Sequence, residues 1–198
     1  KNFASTDDWV LLQNYGNPAG GAVAIDGSNA IIQTETDMYV CVTKNFASTD
    51  DWVLLQNYGN PVGGAVAIDG HNAIVQTATD AYVCVTENFA STDDWVILPN
   101  YGSIIGGAVA IDGSNAIIQT ETDVYVCVTK NFASTDAWTR LPNYGSIAGG
   151  AVAINGDFAI LQTEDRVYVC TNGNFASIDA WTSLSKYGNT AGGAIAIG

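Results

Sequence analysis

A nine-residue phrase returns along this chain every 43 residues: Lys1-Asn2-Phe3-Ala4-Ser5-Thr6-Asp7-Asp8-Trp9 recurs at Lys44 to Trp52, Glu87 to Trp95, Lys130 to Trp138 and, weakened, Gly173 to Trp181. A fixed period of this length marks a repeat architecture, and it falls in the range of propeller blades. Full copies occupy 1–43, 44–86, 87–129 and 130–172, with a partial one over 173–198, so 1–198 reads as one repeat domain. The first copy carries four short segments rich in Val, Ile, Trp and Tyr: Trp9 to Gln13, Gly21 to Ile25, Ala30 to Thr34 and Met38 to Val42. Turn signals separate them, namely Asn14-Tyr15-Gly16-Asn17-Pro18, Asp26-Gly27-Ser28-Asn29 and Glu35-Thr36-Asp37. These lie too close together for helices, and no apolar stripe has helical spacing. The unit is a predicted four-strand meander.

The second segment, Gly20-Gly21-Ala22-Val23-Ala24-Ile25, is small-residued in every copy and suits the crowded axis where sheets converge, so it is predicted innermost. The Trp-led segment is then outermost. The expected fold is all-β: a β-propeller of four-stranded antiparallel blades, five-bladed, with a four-bladed ring plus extra end strands as the alternative. In chain order the segments number eighteen rather than twenty, ending on one more outer and one more inner segment. A fifth blade built from the C-terminal inner and N-terminal outer segments would lack its two middle strands. Residues absent from this sequence, a different closure, or pairing of the ends with another molecule would each account for that.

This order of an Asp-x-Trp strand, a Gly-containing turn, a small inner strand and Ile/Val-rich, Tyr-containing strands resembles the five-bladed tachylectin-2 lectins and, more loosely, the tectonin repeats. The likeness runs along the whole chain as a blade pattern. This unit is shorter than that of tachylectin-2 and lacks a Phe-rich inner run. The resemblance implies a propeller that binds N-acetylated hexosamines.

Six Lys and Arg against twenty Asp and Glu give a net charge of −14, which sets the chain against nucleic acid and anionic membrane surfaces and favours solubility. Its apolar runs are too short to span a bilayer. The chain opens at Lys1 without a basic-then-apolar leader, and secretion with the leader removed is the expected localisation; unpaired cysteines would also suit the cytoplasm. Cys41, Cys84, Cys127 and Cys170 stand one to a copy inside Tyr-Val-Cys tripeptides, too far apart in a ring to pair, and read as buried free thiols. The single histidine, His71, occupies a position held by Ser28 and Ser114 elsewhere, so neither a metal site nor a His-dependent catalytic triad is indicated. A two-carboxylate glycosidase needs two distinct environments at one place, whereas repetition spreads acids evenly. The reading is no enzyme and no cofactor.

Repetition instead multiplies one weak site and gains avidity. The most drifted copies retain Asp7, Asp50, Asp93, Asp136 and Asp179, whereas Asp8, Asp51 and Asp94 give way to Ala137 and Ala180. Trp9, Trp52, Trp95, Trp138 and Trp181 persist, as do Tyr15, Tyr58, Tyr101, Tyr144 and Tyr187, each followed by Gly. On a regular strand Trp9, Leu11, Gln13 and Tyr15 share a face, making an aromatic pair that suits a groove. The expected site is the loop leading into the outer strand, with Asp accepting hydroxyl or amide hydrogen bonds and the indole covering apolar sugar surface. The competing assignment gives Trp and Tyr to packing and Asp to a turn cap. The retained Asn-Phe-Ala-Ser reads as a structural corner. The expected function is a multivalent carbohydrate-binding lectin with one weak site per blade and glycans or glycoproteins as partners, and with homo-oligomers forming through the incomplete end strands. The alternative is a non-enzymatic scaffold for protein contacts or self-assembly, including a designed or reconstructed repeat protein.

Overall fold

The computed structural model describes residues 11, 12, 15, 16, 21–105, 107–147, 150–188 and 195–197. These form four antiparallel four-stranded sheets, each a meander in chain order. The first is β1 (Ala22–Asp26), β2 (Asn29–Gln33), β3 (Asp37–Cys41) and β4 (Trp52–Gln56). The second is β5 (Ala65–Asp69), β6 (Asn72–Gln76), β7 (Asp80–Cys84) and β8 (Trp95–Pro99). The third is β9 (Ala108–Asp112), β10 (Asn115–Gln119), β11 (Asp123–Cys127) and β12 (Trp138–Pro142). The fourth is β13 (Ala151–Asn155), β14 (Phe158–Gln162), β15 (Arg166–Cys170) and β16 (Thr182–Ser185). Helical structure among the described residues is limited to three-residue 3₁₀ turns just before the Trp positions, such as Thr92–Asp94.

Each sheet straddles two sequence copies, because the Trp-led strand closes the blade that precedes it rather than opening its own. The expected inner strand is confirmed: β1 packs beside β5, β5 beside β9 and β9 beside β13. Among the described residues no comparable packing joins β13 to β1. Apart from Leu11 and Leu12, the N-terminal Trp-led segment lies outside the described residues, and Ile195–Ile197 of the last inner segment are in no strand.

Strand alternation sends successive side chains to opposite faces, so each blade feeds two cores. In β6, Ala73 and Val75 face the first blade while Ile74 faces the third. The core between the second and third blades joins Ile74, Val83 and Leu98 to Ala116, Ile118, Cys127 and Trp138. All four cysteines are buried free thiols, as expected.

Specific hydrogen bonds register the blades. The turn between the first two strands of a blade has Gly at positive φ (+57° at Gly27), which a two-residue hairpin needs. The Asp before it reaches the next blade: Asp26, Asp69 and Asp112 accept from the N–H of Gly70, Gly113 and Gly156 at 2.5 Å. Deeper in, Gln33 Nε2 donates to the carbonyls of Tyr58 at 2.8 Å and of Gln76 in the next blade at 3.0 Å, and Gln76 and Gln119 repeat the pattern.

Candidate functional site

The Asn-Phe-Ala-Ser corner is structural. Phe89, Phe132 and Phe175 are fully buried, and each main-chain carbonyl accepts the indole Nε1–H of the following Trp at 3.0 Å. The Trp side chains are consequently walls of the inter-blade cores rather than sugar platforms. Trp95, Trp138 and Trp181 are only 7–8% exposed, and Trp52 is half-buried with the same bond to Phe46 at 3.2 Å.

The expected shared face of Trp and Tyr is corrected by a backbone reversal. Asn57, Asn100 and Asn143 hold φ of 70°, 68° and 67°, a left-handed conformation that Asn tolerates and that ends strand alternation just before the Tyr. Trp95 thus falls in the core between the first and second blades and Tyr101 in the core between the second and third. Each Tyr pairs with the Trp of the next copy instead: Tyr15 with Trp52 at 5.8 Å, Tyr58 with Trp95 and Tyr101 with Trp138 at 5.9 Å, and Tyr144 with Trp181 at 6.4 Å. Tyr58, Tyr101 and Tyr144 are buried and present no open aromatic wall, whereas Tyr187, with no further described blade to cover it, is 66% exposed.

A second tyrosine, not singled out in the sequence, completes the arrangement. Tyr39, Tyr82, Tyr125 and Tyr168 of the Tyr-Val-Cys tripeptides stack on Tyr15, Tyr58, Tyr101 and Tyr144 at centroid distances of 4.2, 4.6, 4.1 and 4.3 Å. All four are half-buried. The signal is present in the sequence, since this Tyr recurs in every full copy, but it is indistinguishable there from ordinary strand composition. Burial and then the neighbouring Tyr82 push the Tyr58 phenol above its ordinary pKa, and Tyr101 is raised likewise by burial and Tyr125. For Tyr144 the causes are burial, Tyr168 and then Asp179; for Tyr15 they are burial, Tyr39 and then Asp50. Asp50 and Asp179, each contributed by the next copy, therefore stand near the Tyr15 and Tyr144 pairs.

The carboxylates sort by what they hold. Asp37 and Asp80 accept from the N–H of Asn57 and Asn100 at 3.1 and 3.0 Å and so anchor the reversal. Where Arg166 replaces this Asp in the fourth blade, Lys186 replaces the Asn. Asp51 and Asp94 tie the corner, accepting from Asn45 Nδ2 at 2.7 Å and Asn88 Nδ2 at 2.8 Å. Hydrogen bonding, chiefly from Thr43 and Thr86 respectively, holds these two carboxyls below the usual range. Asp50, Asp93, Asp136 and Asp179 differ: they are exposed on the 3₁₀ turns, and among the described residues none accepts a hydrogen bond. Asp7 and Trp9 lie outside the described residues.

Beside the Tyr144–Tyr168 pair lies an open cleft of about 310 Å³, lined by Asn143, Gly145, Thr163, Glu164, Asp165, Arg166 and Tyr168. Asp165, lowered in pKa chiefly by Arg166, pairs with it at 2.7 Å. The cleft offers a half-buried phenol, an amide, a hydroxyl and carboxylates. Such a lining suits a small polar ligand with an apolar face.

No family model matches the chain, and no curated protein matches it in sequence. Among solved structures it is similar to AztD from Citrobacter koseri in the apo form (TM-score 0.54, 13% identity, 86% of this chain and 47% of that one). It is also similar to PorZ, an essential surface component of the type-IX secretion system of Porphyromonas gingivalis (0.52, 15%, 88% and 22%). A third likeness is to Hsv2 from Kluyveromyces lactis (0.51, 7%, 76% and 47%). All three are β-propeller proteins, and at these identities the likeness shows the fold alone. The chain spans less than half the length of each.

Proposed function

We propose that this protein is a multivalent carbohydrate-binding propeller with one weak site per blade, beside each tyrosine pair. The observation that carries the reading is the exposed Asp50, Asp93, Asp136 and Asp179 series, kept in every copy while its hydrogen-bonded neighbour Asp51 or Asp94 becomes Ala137 or Ala180 with the corner intact. A carboxylate held through drift without a structural bond among the described residues is better explained by a ligand than by the fold. In this reading it accepts hydroxyl or amide hydrogen bonds, and the half-buried Tyr39, Tyr82, Tyr125 or Tyr168 covers the apolar sugar face. Trp95, Trp138 and Trp181, with Tyr58, Tyr101 and Tyr144, are held in the inter-blade cores beneath. The tachylectin-2 resemblance adds the ligand class, N-acetylated hexosamines. Each polar contact contributes on the order of 1 kcal/mol net, so single sites are weak and avidity supplies the affinity.

A glycan array tests this directly. Binding to a narrow group of sugars, reproduced by calorimetry with several equivalents per chain, is the expected result. Silence across the array, with binding only to proteins irrespective of glycosylation, would assign the chain to the scaffold alternative.

A further inference from the structure

The residue lying across from the half-buried tyrosine changes from blade to blade. In the antiparallel register Tyr39 faces Leu54, Tyr82 faces Ile97, Tyr125 faces Arg140 and Tyr168 faces Ser183. Residues directly opposite in such a pair project from the same side of the sheet, so each of these side chains borders its tyrosine. Leu54 and Ile97 are 43% and 48% exposed, and the Arg140 side chain is 61% exposed. The tyrosine is thus edged by apolar carbon in the first and second blades and by a guanidinium in the third.

Arg140 is held in place beside that ring. Its Nη2 donates to Asp123 Oδ2 at 2.8 Å, and the same carboxylate oxygen accepts from Thr122 Oγ1 at 2.8 Å. Burial and then Asp123 raise the Tyr125 phenol above its ordinary pKa while Arg140 opposes them, which sets the guanidinium within electrostatic reach of the phenol. Asp123 does not by itself account for the arginine, because Asp37 and Asp80 occupy the same position with Leu54 and Ile97 across from the tyrosine.

Arg140 and Arg166 are the only arginines in the sequence. Arg166 stands two residues before Tyr168, but it commits both Nε and Nη2 to Asp165, at 3.0 and 2.7 Å. Arg140 commits one nitrogen to Asp123, and among the described residues it makes no other hydrogen bond. Its remaining N–H groups are a solvent-facing fork, the geometry that receives a carboxylate through two parallel hydrogen bonds. The net charge of −14 does not prevent this, since exposed charges more than about 8 Å apart are largely screened at physiological ionic strength and the nearby guanidinium then decides.

We propose that the tyrosine pair of the third blade is a site for an acidic N-acetylated sugar, its carboxylate clamped by Arg140 and its apolar face laid on Tyr125, whereas the second blade, with Ile97 in the same place, takes neutral sugars. This rests on the carbohydrate-binding reading and assigns selectivity within it. One chain then carries sites of two kinds, set by the residue opposite the tyrosine.

The test titrates three probes into the whole chain by calorimetry: the methyl glycoside of N-acetylneuraminic acid, the methyl ester of that glycoside, whose carboxylate is masked, and N-acetylglucosamine. The wild-type chain should bind the acid about tenfold more tightly than the ester, with the preference shrinking as salt is raised. Arg140→Leu, an exposed position given the residue of the first blade, should keep its Tm and lose that preference. Ile97→Arg, with Asp80 in place to hold the new guanidinium, should add one acid-binding equivalent. Equal binding of acid and ester by the wild-type chain, or a preference that survives Arg140→Leu, overturns the proposal, and N-acetylglucosamine binding in the same experiment leaves the sugar reading standing. Silence toward all three probes and across the glycan array removes the sugar reading and this proposal with it.

Discussion

Two residue types that recur equally well have opposite roles once their partners are known. Trp138 is buried between two blades with its Nε1–H bonded to Phe132, and replacing it with Ala should cost about 3–5 kcal/mol by cavity formation, measured by denaturant unfolding. The tyrosine pairs make a pH prediction. Burial, followed by the neighbouring Tyr82 or Tyr125, raises the folded pKa of Tyr58 and Tyr101, so the fold favours their neutral phenols. That contribution is complete below the unfolded pKa of about 10 and is lost as pH rises through the higher folded value. Absorbance near the phenolate band should show these tyrosines ionising above the ordinary range, with stability falling over the same alkaline window. Ionisation of all the tyrosines together in the ordinary range would contradict the packing.

Among the elements, the linker after each outer strand decides which blade the tyrosine joins. Its Gly closes against the blade that the strand has just completed: Gly102 N–H donates to the Thr79 carbonyl at 3.1 Å, and a Cβ on Gly102 would collide with the main chain of Thr79 and Asp80. Backbone cannot yield as a side-chain tip can. Gly102→Ala should therefore lower Tm clearly, whereas Gly113, whose Cβ would meet open space, should lose stability only through its φ of +59°. The period, the four strands, the inner position of the Ala-Val-Ala-Ile segment and the free thiols were legible in the sequence because they rest on alternation and residue size. The partner of each Tyr was not legible. A single positive-φ Asn reverses the face, and strand periodicity extrapolated across Asn100 assigns Tyr101 to the wrong core. The candidate site was legible only in part, since retention identified Asp93 but could not separate it from the equally retained, buried Trp95.

For the whole molecule, a net charge of −14 coexists with exposed Val23, Ile25 and Leu184 among the described residues. Four tyrosine pairs, each repeated from copy to copy, make sense of the near-identical copies if each contributes a weak sugar site, because linked sites gain affinity without new contacts. The most direct measurement is calorimetric titration of the sugar selected on the array into the wild-type chain and into Asp50→Asn, Asp93→Asn, Asp136→Asn and Asp179→Asn in turn. Several equivalents per chain are predicted, with one lost in each variant and Tm unchanged within a few degrees, since among the described residues none of these carboxylates accepts a hydrogen bond. Undiminished stoichiometry accompanied by a fall in Tm would make these aspartates structural and would contradict a sugar site beside the tyrosine pairs.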